Sequence, residues 1–260
     1  MADCDLKGRG ILITRAAHQA GGLSRLIHAC HGTAVLFPTL EISACDSPEP
    51  ACGLLRHSWD VMIFVSPNAV CYALRLLPAE RLQTVLLGAV GQATAAALRE
   101  SGYGIDLVPA ERYDSEGLLM LAPLQRLDGQ KVLIVRGEGG RPLLGDTLQA
   151  RGAEVGYAEV YRRTRPQTDP APLLSNWARR IDLVTVTSTE VLRNLIAMLG
   201  EQGWPLLRQT PLLVISERMR MEAERQGFES VLPATGADDK SVMTAIRDWV
   251  DESAETVQGR

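Results

Sequence analysis

The residues of this chain that are able to do chemistry are few in kind, and they recur in similar places. Short apolar runs end in arginine, hydroxyl or glycine: Ile11-Leu-Ile-Thr-Arg15, Phe64-Val-Ser66-Pro67-Asn68, Ala89-Val-Gly91-Gln-Ala-Thr94, Val135-Arg136-Gly137-Glu-Gly139-Gly-Arg141, Thr187-Ser188-Thr189-Glu190 and Ser216-Glu-Arg218. Arginine matches carboxylates and phosphates in a bidentate fork, and helix N-termini present free N–H groups. The pattern points to a ligand with several carboxylates or phosphates. Each feature also has a plainer use: Ser66 and Ser188 as N-caps, Arg15 and Arg136 as solvated strand ends, and Tyr161 as a packing residue with its hydroxyl at the surface.

Several chemistries are excluded. The four histidines (His18, His28, His31, His57) all precede residue 58, and none stands at such an end, so no Ser-His-Asp arrangement is supported. The loop Gly137–Gly140 fails the dinucleotide pattern because Pro142 stands where a third glycine is needed, and it fails the P-loop pattern because no Gly-Lys-Ser/Thr follows. A phospho-acceptor would need a carboxylate at a strand end. Glu138, Glu190 and Glu217 are available acids, though exposed loop carboxylates are usually just solvated. His28, Cys30 and His31 lie close together, but where a helix ends and without a second ligand cluster, so no metal site is expected.

The elements that must position these groups are read from periodicity. Ile11–Thr14, Asp60–Ser66, Leu86–Val90, Asp106–Val108, Val132–Val135, Asp182–Ser188, Leu212–Ile215 and Val231–Ala234 read as short buried strands. Helical patterns alternate with them. Ser66-Pro67 is a helix start, Ser115 caps a further helix, and another helix opens with Pro142 at its first position and stops at Gly152. Val242, Ala245, Ile246 and Trp249 mark a last helix, after which Asp251–Arg260 is expected to fray.

This order of elements occurs twice. Arg15 and Arg136 are 121 residues apart, Ser66 and Ser188 122, and Gly102 and Gly227 125. An internal duplication of one strand–helix unit follows, and alternation of strands with helices means parallel sheets covered on both faces. Two extended runs of about ten residues, Thr33–Ile42 and Glu154–Arg163, are longer than the usual ~5–6 residues of a strand. They read either as long strands or as connectors between domains.

At 260 residues, with 46% apolar content, the chain suits two domains with real cores. A net charge of −4 argues against a dedicated nucleic-acid binder. No apolar run approaches the ~20 residues of a membrane span, and the first residues lack a signal-peptide pattern. The five cysteines (Cys4, Cys30, Cys45, Cys52, Cys71) show no paired spacing, so reduced thiols in a cytoplasmic protein are expected.

Taken in order, these segments, with Phe37-Pro38, Ser115-Glu-Gly-Leu118, Glu159-Val-Tyr161-Arg and Ala237–Ala245, resemble the uroporphyrinogen-III synthase family of bacterial type over about residues 8 to 250. The resemblance implies two flavodoxin-like α/β domains joined by two extended connectors: residues 1–37 with 167–260, and 42–162, linked at about 38–41 and 163–166. This favours the connector reading of the two long runs and implies domains that move on them. It also implies cofactor-free closure of hydroxymethylbilane, a linear tetrapyrrole with eight carboxylates, with loss of water and inversion of the last ring. Tyr161 is implied as the donor to the departing hydroxyl. Substrate contacts fall to Arg15, Ser66, Pro67, Asn68, Gly91, Thr94, Arg136, Gly137, Gly139, Arg141, Ser188, Thr189, Ser216 and Arg218. Met219 stands where some relatives have threonine, which leaves Arg218 as a charge contact in its place. No metal, nucleic acid or membrane is implied; the protein is expected as a monomer, with a transient contact to the preceding pathway enzyme. Two alternatives stand beside this: a non-catalytic tetrapyrrole-binding or regulatory module of the same fold, and a nucleotide-dependent transferase, against which the failed phosphate motifs argue.

Overall fold

The computed structural model describes residues 4–77, 82 and 85–258, with side chains as far as Ser253. The chain divides into two compact units, Met1–Glu41 with Thr164–Arg260, and Ile42–Arg163. In chain order, β1 (Gly10–Ile13), α1 (Ala17–Ala29) and β2 (Thr33–Leu36) begin the first unit. β3 (Glu41–Ala44) leads into the second, followed by α2 (Glu49–Arg56), β4 (Val61–Phe64), α3 (Pro67–Ala73), β5 (Leu86–Ala89) and α4 (Gln92–Glu100). α5 (Ser115–Leu119), β6 (Lys131–Gly137), α6 (Leu143–Ala150) and β7 (Glu154–Thr164) complete it. The chain then returns to the first unit with α7 (Ala171–Leu174), α8 (Trp177–Arg180), β8 (Leu183–Thr185), α9 (Thr189–Gln209), β9 (Leu212–Val214), α10 (Glu217–Arg225), β10 (Val231–Pro233) and α11 (Asp239–Gln258).

The first sheet has the order β10-β9-β8-β1-β2, and all its pairings are parallel. Counted from β1, this is the flavodoxin-like order 2-1-3-4-5. The second sheet runs β3-β7-β6-β4-β5, and Leu107 adds a single parallel bridge to Gly88 beyond β5. Its central pairings β7-β6-β4-β5 match β2-β1-β8-β9 strand for strand. The two copies of the duplicated unit are thus cut and exchanged. Each sheet takes the first two strands of one copy and the last strands of the other.

Period-two alternation explains how short apolar strands serve cores on both faces. In β1, Leu12 packs with Val184, Leu192 and Leu195 on one side, while Ile11 and Ile13 pack with Leu23, Ile27, Val242 and Ile246 on the other. In β4, Met62 and Phe64 join Val70, Leu98 and Val135, while Val61 and Ile63 join Leu118, Leu144 and Leu148. All four residues of β1 and of β4 are buried.

Several expectations are corrected. Thr33–Ile42, read either as a long strand or as a connector, is not one long strand: the ladder with β1 ends at Leu36, and β3 starts at Glu41. Phe37 and Thr39 still donate to Ile13 and Thr14 carbonyls at 3.0 Å, but Pro38 between them has no N–H to continue the ladder. Glu154–Thr164 is a single strand of 11 residues. Asp106–Val108 contributes only the one bridge at Leu107. Asp114, not Ser115, caps α5, its carboxylate accepting the Gly117 N–H at 2.8 Å. Pro142 precedes α6 as its cap residue. α9 is two helical segments broken at Gly200, whose φ of 60° is left-handed. α11 continues to Gln258 where fraying was expected, while Gly259 and Arg260 lie outside the described residues.

The cysteines are corrected too. Cys4 and Cys30 are joined by a disulfide across Cα atoms 5.0 Å apart, and Cys45, Cys52 and Cys71 are free. Leu6 donates to the Cys30 carbonyl at 2.7 Å, which brings the N-terminal segment alongside the end of α1. Burial, reinforced by the nearby Glu138 carboxylate, pushes the Cys45 thiol up to about 11. Only the thiolate is nucleophilic. At pH 8, iodoacetamide is therefore expected to alkylate exposed Cys71 at least ~10-fold faster than Cys45, whose rate should climb until about pH 11. Equal rates at the two thiols, followed by peptide mass analysis, would contradict this.

Candidate functional site

In parallel α/β sheets, ligands bind beyond the carboxyl ends of the strands, at the point where the strand order reverses. In the second unit that point lies between β6 and β4. In the first it lies between β1 and β8. Each carries a distinct set of polar groups.

At the β6/β4 point the central residue is Tyr161. The β6–β7 register runs regularly to Arg136 opposite Glu159 and then shifts, so that Gly137 faces Tyr161 and Val160 is skipped. A bulge of this kind re-aims a side chain. Here it lays the Tyr161 ring directly on the Gly137 backbone, where a Cβ would meet ring carbons at 2.6 Å. The ring stacks on Tyr72, with centroids 5.9 Å apart and planes 30° from parallel, and Tyr72 is itself fixed by its hydroxyl on the Ile42 carbonyl at 2.9 Å. Tyr161 is only 5% exposed, so the surface-hydroxyl reading does not hold. Its phenol oxygen lies 3.1 Å from Ser66 Oγ.

Ser66 accepts the Ala69 N–H at 3.1 Å as N-cap of α3. With an acceptor role used on the helix, its own hydrogen is available to the phenol. Pro67 is exposed and Asn68 half-buried in the first turn of α3. Gly91 is the N-cap residue of α4, and Thr94, one turn in, is 3% exposed.

Arg136 is not a free cation. It donates to Glu159 Oε1 at 3.0 and 3.2 Å and to the Gly140 carbonyl at 3.2 Å, and its guanidinium lies 4.1 Å over the Tyr157 ring. It braces the Gly137–Gly140 loop, in which Gly139 takes a φ of 68°. Arg141 at the end of that loop is exposed.

At the β1/β8 point, buried threonines tie the two strands. Thr14 donates to the Thr185 carbonyl at 2.5 Å, and Thr185 donates to that of Leu12 at 2.9 Å. Arg15 follows, 9% exposed, with Nη1 on Asp239 Oδ1 at 2.6 Å. Its Nε and Nη2 are buried without a partner among the described residues. Ser188 caps α9 through the Val191 N–H at 3.1 Å, with Thr189 half-buried beside it, and Ser216 caps α10 through the Met219 N–H at 3.3 Å. Met219 is buried in the core, whereas Arg218 is exposed. Among the predicted residues, direct contact joins Tyr161 to Ser66 and to Gly137. The sequence reading missed Asp239, Tyr72 and Glu159. Glu159 and Asp239 both lie within segments that carry the resemblance, and Asp239 is also an acid in the first turn of a helix.

A chain with these two sheets is a two-unit α/β protein of flavodoxin-like topology. The family model described as uroporphyrinogen-III synthase HemD matches residues 22–243. Uroporphyrinogen-III synthase of Escherichia coli is 36% identical over 248 residues, covering 91% of this chain and 99% of that one. The putative uroporphyrinogen-III synthase of Methanothermobacter thermautotrophicus is 30% identical, over 85% and 91% of the two chains. Crystal structures of a mutant uroporphyrinogen III synthase from Thermus thermophilus and of the Helicobacter pylori synthetase share the fold, with TM-scores of 0.61 and 0.59 at 18% and 17% identity, over 96% and 91% of this chain and 100% and 97% of theirs. The chain belongs to the uroporphyrinogen-III synthase family. No described helix is long and apolar enough to cross a membrane.

Proposed function

We propose that this protein is a uroporphyrinogen-III synthase, a cyclising lyase of tetrapyrrole biosynthesis that closes hydroxymethylbilane with loss of water and inversion of the last ring. The observation that carries the reading is the end-to-end identity of 36% with the Escherichia coli enzyme. The non-catalytic alternative has no observation in its favour.

Loss of the hydroxyl from the bilane gives a delocalised, electron-poor azafulvene. The pyrrole nitrogens supply the push, so mild acid assistance is enough and no metal or organic cofactor is required. Tyr161 gives that assistance in this reading. The Ser66 hydroxyl can donate to the phenol oxygen 3.1 Å away, which leaves the phenol hydrogen for the departing hydroxyl. The remaining task is to fold the chain so that the substituted carbon of the last ring attacks, which is positioning more than acid–base chemistry. Main-chain N–H groups and hydroxyls at Ser66, Gly91, Thr94, Gly137, Gly139, Ser188 and Ser216, with Arg218 and Arg141, meet the carboxylates.

Freshly generated hydroxymethylbilane is the test. The protein should yield the inverted product isomer. Formation of only the non-inverted isomer that arises spontaneously would defeat the proposal and leave the binding-module reading in its place.

A further inference from the structure

Arg15 is held in a way that ordinary packing does not account for. Its guanidinium is nine-tenths buried, yet among the described residues it has one partner, Asp239 Oδ1 on Nη1 at 2.6 Å. The two atoms left over, Nε and Nη2, carry hydrogens and make no hydrogen bond to any described residue. They are not scattered around the group. Nε and Nη2 form one edge of the planar fork, the edge that takes both oxygens of a carboxylate side-on. A buried donor without a partner is costly and calls for an explanation. A whole bidentate edge buried without a partner, on the one arginine at the strand-order reversal of its sheet, is the shape of half an ion pair.

The surroundings fix that edge. Asp239 opens α11, and its carboxylate lies against the Gly22 backbone of α1, where any Cβ would collide with Oδ2. The neighbouring Asp238 is not available to Arg15: it accepts the Lys240 and Ser241 N–H groups at 3.1 and 3.0 Å and the Ser241 hydroxyl at 2.6 Å. Asp239 therefore serves as a counter-ion that holds the guanidinium by one corner.

We propose that the Nε/Nη2 edge of Arg15 is the receptor for a single carboxylate of the substrate, and that Asp239, seated on Gly22, is the positioning residue that presents it. The assignment rests on the reading of the substrate as a polycarboxylate. It singles out Arg15 from the other arginines at strand ends, since Arg136 is already committed to Glu159 and Gly140, and Arg141 and Arg218 are exposed. Lysine in this place keeps the charge but has no fork.

Two measurements test this. In steady-state kinetics with hydroxymethylbilane, Arg15→Lys should raise KM at least tenfold with kcat within about threefold, and Gly22→Ala, which displaces Asp239, should raise KM in the same direction. In 1H–15N spectra, the Arg15 Nε–H resonance, identified by its loss in Arg15→Lys, should shift saturably with acetate and not with chloride at equal ionic strength. An unchanged KM in Arg15→Lys, or an Nε–H resonance that ignores acetate, overturns the assignment and leaves Arg15 as a tether of α11. A wild-type protein that forms no inverted isomer but shows the acetate shift would instead count against the enzymatic reading and leave the receptor standing.

Discussion

Tyr161→Phe is expected to lower kcat for bilane closure by about 10²-fold, the lower range of what a positioned acid contributes, while leaving the protein folded. The ring is held by shape: the Gly137 backbone beneath it and Tyr72 stacked beside it. Phenylalanine keeps both contacts. What it removes is the phenol oxygen 3.1 Å from Ser66 Oγ. Loss of one such hydrogen bond costs about 1 kcal/mol, a fall of only a few degrees in Tm for a chain of this size. The magnitudes separate the roles. A structural tyrosine would show a stability loss with little change in rate. A proton donor shows the reverse. Measured kcat equal to wild type would remove Tyr161 from the mechanism.

Gly137→Ala is expected to act on the same group from below. The added methyl would meet the Tyr161 ring at 2.6 Å, inside any allowed contact, so the ring or β7 must move. Overpacking of this kind typically costs about 1–3 kcal/mol. Displacement of the hydroxyl from Ser66 should cost at least ~10-fold in kcat, since misplacement by about 1 Å is enough for large rate losses. The decisive experiment is the double variant with Tyr161→Phe. If the glycine matters only by seating the phenol, the second substitution adds little to the first. Rate losses that multiply independently would show that Gly137 acts elsewhere, for instance through its own N–H.

Much of the fold was legible because it rests on local signals. β1, β4 and β6 are apolar on both faces, and such runs have few other fates in a chain alternating with helices. The offsets near 121 residues showed the duplication before any pairing was known. The Ser66-Pro67 and Ser188 caps were legible as caps for the same reason: their hydrogen bonds reach only three residues. Where the outcome depended on distant partners, the reading stopped. Thr33–Ile42 reads as extended and interrupted by Pro38, but where the ladder stops is decided by the neighbouring strand. Asp114 and Ser115 are both good caps, and only the turn geometry chooses between them. Cys4 and Cys30 are 26 residues apart, a spacing with no signature of its own.

The candidate site divides along the same line. Residue types at strand ends pointed to anions, and the resemblance singled out Tyr161. That Ser66 would stand beside the phenol is a contact across 95 residues, and it depends on a one-residue bulge that no propensity announces. Arg15 and Arg136 are alike in sequence and in place within their copies. Glu159 and Gly140 satisfy one, while the other keeps a buried edge without a partner among the described residues.

The exchange of halves between the two copies bears on how the protein is made. β1 finds its central neighbour in β8, and the bond from Gly10 to Asp182 spans 172 residues. At about 5–20 residues per second, the first strand leaves the ribosome roughly 10–30 s before that neighbour exists. The unit Ile42–Arg163 is contiguous and is complete in the meantime. Folding of the inner unit as soon as it is made would leave β1, α1 and β2 in waiting, with apolar faces uncovered until the last hundred residues arrive.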